Sequence, residues 1–143
     1  MTARRKVMVV PMRMGRDWEV LVLRRGPEKG GVWAPVTGNV EPGETTAAAA
    51  ARELLEETGI GGAAALHKTD FVNRFSKDIK GARVDFIEEI FAAVVRPGTA
   101  VRISHEHVES QWVPADEAVR RVAFDGCKEG IRRALAAVEP RTL

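Results

Sequence analysis

The sequence predicts an α/β (α+β) fold, a mixed β-sheet sandwiched between helices. Three observations predict it: short β-rich apolar runs near the start, an alanine-rich helical segment between the early and late strands, and two helical segments after the last strand. With 143 residues, one domain spanning 1–143 is expected.

Lys6-Val7-Met8-Val9-Val10 and Val20-Leu21-Val22-Leu23 are β-rich runs separated by Gly15-Arg16-Asp17, which reads as a hairpin or two adjacent strands. Gly26-Pro27-Glu28-Lys29-Gly30-Gly31 is a loop by composition, leading to a short strand from Val32 to Thr37. A turn-rich stretch follows, Gly38-Asn39-Val40-Glu41-Pro42-Gly43-Glu44. Thr45 or Thr46 then caps a helix from about Ala47 to Thr58, which Gly59 ends. Strands are expected near Phe71–Phe75, Val84–Val95 and Glu109–Val113, with the stretch from Arg74 to Arg83 read as a loop. Helices are expected from Pro114 to Arg121 and from Asp125 to Val138. Cys127 falls with Phe124, Ile131 and Leu135 at helical spacing, the pattern of a buried small apolar residue.

Composition narrows the function. Lys plus Arg number 22 against 20 Asp plus Glu, a net charge of +2, and the arginines are scattered rather than blocked, so no nucleic-acid partner is expected. Met1 to Lys6 looks like the charged start of an export signal, but the apolar run after it ends at Pro11 and Arg13. No later stretch approaches a membrane span, so no membrane partner is expected. The one cysteine cannot form an intramolecular disulfide, which fits a reducing, cytoplasmic location. The oligomeric state stays open, and a homodimer is compatible with the sequence.

Arg52-Glu53-Leu54-Leu55-Glu56-Glu57 places three glutamates within five residues. On a helical wheel Ala47, Ala50, Ala51, Leu54 and Thr58 form the buried stripe, while Glu53, Glu56 and Glu57 gather on a neighbouring face. Like charges at i, i+3 and i+4 repel, so the cluster does not serve helix stability. Carboxylates so grouped are ligands for hard divalent cations, Mg²⁺ or Mn²⁺, which are commonly shared with substrate phosphates. The backbone at Gly38 can approach such a site and offer its carbonyl oxygen, and Gly43 permits a tight bend.

From Gly38 the chain runs through Glu44, Arg52-Glu53-Leu54, Glu56-Glu57 and Gly59-Ile60 at spacings that resemble the Nudix hydrolase signature at every position. Chance agreement of this many fixed residues has odds below roughly one in a million. The resemblance implies a Nudix-type α/β/α sandwich and hydrolysis of a diphosphate linkage in a nucleoside diphosphate joined to a further group. It implies that Glu53, Glu56 and Glu57 bind one or more divalent cations, with Glu53 a ligand or base. Arg52 would orient the carboxylates, Glu44 would brace the loop, and the Gly38 carbonyl would complete the metal shell.

Outside that signature, Glu106-His107 followed by Trp112 resembles a segment of two Nudix subgroups: nucleoside and dihydroneopterin triphosphate pyrophosphatases, and diadenosine polyphosphate hydrolases. There the residue matching Glu106 is a further ligand or base, and His107 is a candidate beside the substrate. Trp33-Ala34-Pro35-Val36-Thr37-Gly38 resembles the triphosphate subgroup, since the dinucleotide enzymes tend to place a lysine where Thr37 stands. The stretch from Gly38 to Glu44 resembles the dinucleotide enzymes as well. A small-molecule nucleotide is thus the expected partner: a nucleoside or pterin triphosphate, alternatively a diadenosine polyphosphate. A domain that senses a nucleotide without turning it over is the alternative from another class. Arg24 and Arg25 are candidate phosphate ligands, of which strand alternation turns one away. Trp33 is a candidate for base stacking. Glu88 and Glu89 are a further acidic pair, at most one of which faces the site, each otherwise expected in solvent.

Overall fold

The computed structural model describes residues 3–62 and 64–139. The start of the charged Met1–Lys6 segment and the two ends of the expected 1–143 domain lie outside that description. A mixed sheet forms the middle layer, built on β1 (Arg4–Met14). Along β1, Val7 and Val9 point to one face while Met8, Val10 and Met12 point to the other, and all five are buried. A strand apolar on both sides needs a covering layer on both sides.

One edge of β1 pairs in parallel with β6 (Ala82–Val95), from Arg4 opposite Phe86 to Met12 opposite Val94. The other edge is shared. Its first half takes β4 (Val36–Asn39), and its end takes β2 (Trp18–Arg25), both antiparallel. In turn β2 pairs with β3 (Trp33–Ala34) and with β7 (His107–Pro114). Beyond β6 lies β5 (Ala64–Ile79), antiparallel and at the end of the strand order.

The expected loop from Arg74 to Arg83 is instead a hairpin: β5 runs on to Ile79, and β6 begins at Ala82. Lys80 and Gly81, both at positive φ, make the turn. Polar residues fill this part of β5, so no apolar run marks it, and backbone pairing carries the strand.

Helix α1 (Thr46–Thr58) covers one face, where Ala49, Ala50 and Leu54 meet Val7, Val9, Leu21, Leu23 and Phe91. Thr45 caps it by accepting from the Ala48 N–H at 3.1 Å, and Gly59 ends it at φ 75°. On the opposite face α2 (Ala115–Arg121) and α3 (Asp125–Val138) cover Met8, Val10, Met12, Val20, Val22 and Ile90. Pro114 both ends β7 and stands as the N-cap of α2, whose first helical residue is Ala115. Cys127 is buried as expected, but Phe124, which shares its helical spacing, is 55% exposed.

Two expectations for α1 change. Ala47 and Ala51 are exposed, while Ala49 and Glu57 are buried. The helix is thus rolled toward its acidic face, which brings a carboxylate into the layer between helix and sheet. None of the described helices is long and apolar enough to cross a membrane.

Candidate active site

A cavity of about 550 Å³ opens between the end of β4 and the second half of α1. Gly38, Arg52, Glu53, Glu56 and Glu57 line one side of it, joined by Glu106 and His107. Lys6, Arg25, Lys29 and Lys77 also face it.

The glycine has a steric reason. A Cβ at position 38 would come within 2.5 Å of Glu53 Cγ and Oε1, and closer still to Cδ, so the bare backbone makes room for that carboxylate. Arg52 sets the rest of the acidic wall. Its Nε and Nη2 donate to the two oxygens of Glu44 at 2.8 and 3.0 Å, and Nη2 also donates to the Asn39 carbonyl at 2.8 Å. From Nη1 it donates to Glu53 at 2.8 Å and to Glu56 at 3.3 Å. The fork of N–H groups on a guanidinium suits such multiple contacts. Glu44 in turn accepts from the Glu41 N–H at 2.9 Å, closing the loop between β4 and α1. Arg52 and that backbone N–H hold the Glu44 carboxyl down at about 2.

Glu57 is 6% exposed and accepts from Ser104 Oγ at 3.2 Å, while the Ser104 N–H reaches its backbone carbonyl. His107 Nδ1 lies 2.8 Å from Glu57 Oε2, close but not in line for a ring N–H to donate. Burial pushes the Glu57 carboxyl up to about 7, and the charge of Glu106 adds to that. Burial also raises Glu53, against the pull of Arg52, and lowers His107.

This geometry divides the remaining candidates. Arg25 lines the cavity and donates to Thr37 Oγ1 at 3.1 Å. Arg24 does not line it. Its Nε donates to the Gly31 carbonyl at 3.0 Å, and its side chain lies 3.7 Å from Glu109. Trp33 stands opposite Arg24 in the ladder and shares its direction, packing on the core edge with the Arg121 guanidinium 5.0 Å from its ring centre. Neither Arg24 nor Trp33 therefore reaches the cavity, and the alternation that brings Arg25 in takes both away. Glu88 is 3% exposed rather than in solvent, whereas Glu89 lies on the α1 side, paired with Lys68 at 3.1 Å.

Lys6, Lys29, Lys77 and Ser104 escaped sequence reasoning. Lys6 carried a signal, because it lies in a strand whose next alternate residues, Met8, Val10 and Met12, are all core. The other three come from turns and from the polar hairpin, where no period marks them.

Among the described residues no three His, Cys, Asp or Glu side chains are gathered tightly enough to hold an ion as they stand. Arg52 holds Glu53 and Glu56, and Ser104 holds Glu57. The donor set still fits a hard divalent cation: it offers only oxygens, Gly38 leaves its backbone open beside Glu53, and the Glu56 side chain is 54% exposed and can turn.

The NUDIX domain model matches residues 2–134. The chain belongs to the NUDIX domain family. Nudix members hydrolyse phosphorus anhydrides and generally use divalent cations. Among curated relatives, an octanoyltransferase of Myxococcus xanthus is 40% identical over 123 residues, covering 85% of this chain and 34% of that protein. The asymmetrical bis(5'-nucleosyl)-tetraphosphatase of Sus scrofa is 30% identical over 99 residues, covering 67% of this chain and 65% of that enzyme. This Nudix chain thus spans about a third of the first relative and just under two thirds of the second. Among solved structures, a Caenorhabditis elegans Ap4A hydrolase in a binary complex aligns at TM-score 0.76 and 25% identity, over 94% of this chain and 96% of that one. The Escherichia coli dihydroneopterin triphosphate pyrophosphohydrolase aligns at TM-score 0.79 and 23% identity, over 92% and 96%. The mixed sheet and three helices are the Nudix fold.

Proposed function

We propose that residues 1–143 form one Nudix hydrolase domain that converts a nucleoside or pterin triphosphate into the monophosphate and pyrophosphate, with Mg²⁺ or Mn²⁺. The observation that carries this reading is a single cavity lined both by Glu53, Glu56, Glu57 and Glu106 and by Lys6, Arg25, Lys29 and Lys77. Carboxylates suit a divalent cation and the cationic side chains suit a polyphosphate chain, so one cavity offers both halves of a diphosphate hydrolase.

Glu53, Glu56 and Glu57, with the Gly38 carbonyl, would hold the cation, which supplies charge neutralisation and activation of a water when bound. Arg25 and the three lysines bind and straighten the phosphate chain. Arg52 keeps the carboxylates in register with the β4–α1 loop. Glu106, which lines the cavity beside Glu57, takes the proton from the attacking water. His107 packs Glu57 into place.

A diadenosine polyphosphate substrate is the second reading, favoured by the likeness to the Sus scrofa tetraphosphatase. Acyl transfer is not carried over from the octanoyltransferase. That likeness covers a third of that protein, and the Cys127 thiol is buried and pushed up to about 11, far from a thiolate.

Product analysis tests the proposal: wild type and Glu57→Gln are incubated with Mg²⁺ or with chelator, against common triphosphates, dihydroneopterin triphosphate and diadenosine tetraphosphate. Metal-dependent monophosphate and pyrophosphate, lost in the variant, are expected. Release of ATP from the dinucleotide alone would select the second reading. Tight binding without turnover of any substrate would make the chain a sensor.

A further inference from the structure

A second cavity, of about 390 Å³, adjoins the first and shares Lys6, Arg25, Thr37 and Lys77 with it. Its remaining lining is of a different kind: Asn73, Phe75, Ser76, Glu88, Phe124, Gly126 and Cys127. The two cavities are joined by one row of residues that runs across four strands. Asn39 of β4 pairs with Lys6 of β1, Lys6 with Glu88 of β6, and Glu88 with Asn73 of β5. Asn39 and Lys6 stand at the phosphate end of that row, Glu88 and Asn73 at the other.

Glu88 is a carboxylate in an otherwise apolar layer, sharing its face of β6 with Ile90 and Ala92. Asn73 Nδ2 donates to Glu88 Oε1 at 3.1 Å, and among the described residues no other side chain donates to this carboxylate. Two carboxylate oxygens accept about four hydrogen bonds, so one donor leaves most of that capacity open toward the cavity. A buried acceptor left this short of donors is costly unless a ligand supplies them. The chain maintains the pair at the expense of a side chain elsewhere. A Cβ at Gly126, in the first turn of α3, would come within 2.8 Å of Asn73 Cγ, so a glycine there makes room for the amide. Flat apolar surface flanks the pair, with Phe75 stacked on Phe86 at 5.1 Å and Phe124 exposed at the rim.

Resting on the hydrolase reading above, we propose that this second cavity takes the heterocycle of the substrate. Glu88, backed by Asn73, selects the 2-amino-4-oxo pyrimidine pattern shared by guanine and pterins. That edge presents a ring N–H beside an amino group, two parallel donors that match two carboxylate oxygens, and its oxo group matches the second N–H of Asn73. Adenine presents a ring nitrogen lone pair at the same place, facing the carboxylate. Hypoxanthine keeps the ring N–H and the oxo group but lacks the amino donor.

Calorimetric binding of GMP, IMP, AMP and neopterin monophosphate to the wild-type chain, Glu88→Gln and Asn73→Ala tests this without requiring turnover. The wild type is expected to bind GMP or the pterin about ten- to a hundredfold more tightly than IMP, and AMP more weakly than GMP. Glu88→Gln is expected to bring GMP and IMP within about threefold of each other, and Asn73→Ala to narrow the gap in part. The guanine and pterin arms identify which source of the ring is preferred. Equal binding of GMP and IMP by the wild type, or no binding of any of the four, overturns the assignment. So does a GMP preference that survives in a folded Glu88→Gln. The comparison of GMP with IMP needs no variant, so a poorly folding substitution does not blunt the test. Hydrolysis of triphosphates without a 2-amino preference would sink this assignment and leave the hydrolase standing. The preference without hydrolysis would do the reverse.

Discussion

Glu53 occupies the space that a side chain at Gly38 would fill, its Cγ and Oε1 within 2.5 Å of where that Cβ would be. The obstacle is the end of a flexible side chain, so Gly38→Ala is expected to fold with little change in melting temperature while pushing Glu53 aside. A displacement near 1 Å costs on the order of a hundredfold in turnover. Parallel measurement of kcat and Tm checks this, and near-normal kcat would show that the position of Glu53 is not critical.

Turnover should also collapse, by orders of magnitude, in Glu56→Gln and Glu57→Gln or on chelation, with folding preserved. Each variant relieves like-charge repulsion; Glu56→Gln lies outside the buried side of the helix, and Glu57→Gln keeps the shape of a buried side chain. A substitution that leaves kcat intact would place the cation elsewhere.

Arg25 and Arg24 make an internal control. Arg25→Ala is expected to weaken substrate binding about ten- to a hundredfold, because it removes a charged donor from the cavity, whereas Arg24→Ala should leave KM unchanged. Equal effects from the two would contradict the strand alternation.

Acid should loosen the loop through Glu44. Its folded carboxyl is held at about 2 against an ordinary 4.5, so the stability it contributes is full above 4.5 and is lost as pH falls from there through about 2. The Tm difference between wild type and Glu44→Gln is therefore expected to be constant above about pH 5.5 and to vanish at the acid end. A difference that stays constant with pH would show that Glu44 gains nothing from Arg52.

Leu54, 2% exposed, anchors α1 to the sheet, and Leu54→Ala is expected to cost roughly 2 to 5 kcal/mol in denaturant unfolding.

How legible this was in the sequence depended on distance along the chain. The loop, cap, helix and Gly59 stop lie within about two dozen residues, so spacing alone placed α1 and its acidic face. Local periodicity could not say how far the helix rolls, which depends on what Val7, Val9 and Leu23 present to it, so Glu57 was expected beside the buried stripe rather than in it. The cationic lining was harder still. Lys6 and Lys77 are 71 positions apart in sequence and meet only because β1 and the β5–β6 hairpin join through β6. Glu88 reads in sequence as half of a solvated acidic pair, because the strand neighbours on either side of it, Asn73 and Lys6, are 15 and 82 positions away.

Arg52 ties the entrance loop, the β4 backbone and two carboxylates together, so apart from the turn of the Glu56 side chain the acidic wall is set from within itself and not by the molecule it meets. Adaptation then falls to the opposite side, where the β5–β6 hairpin and the start of α3 share no hydrogen bond with Arg52. A lineage that exchanges residues at 73, 75, 88 and 124 can change what is recognised while inheriting the chemistry intact. The division of labour within this fold makes substrate choice a separable, evolvable module.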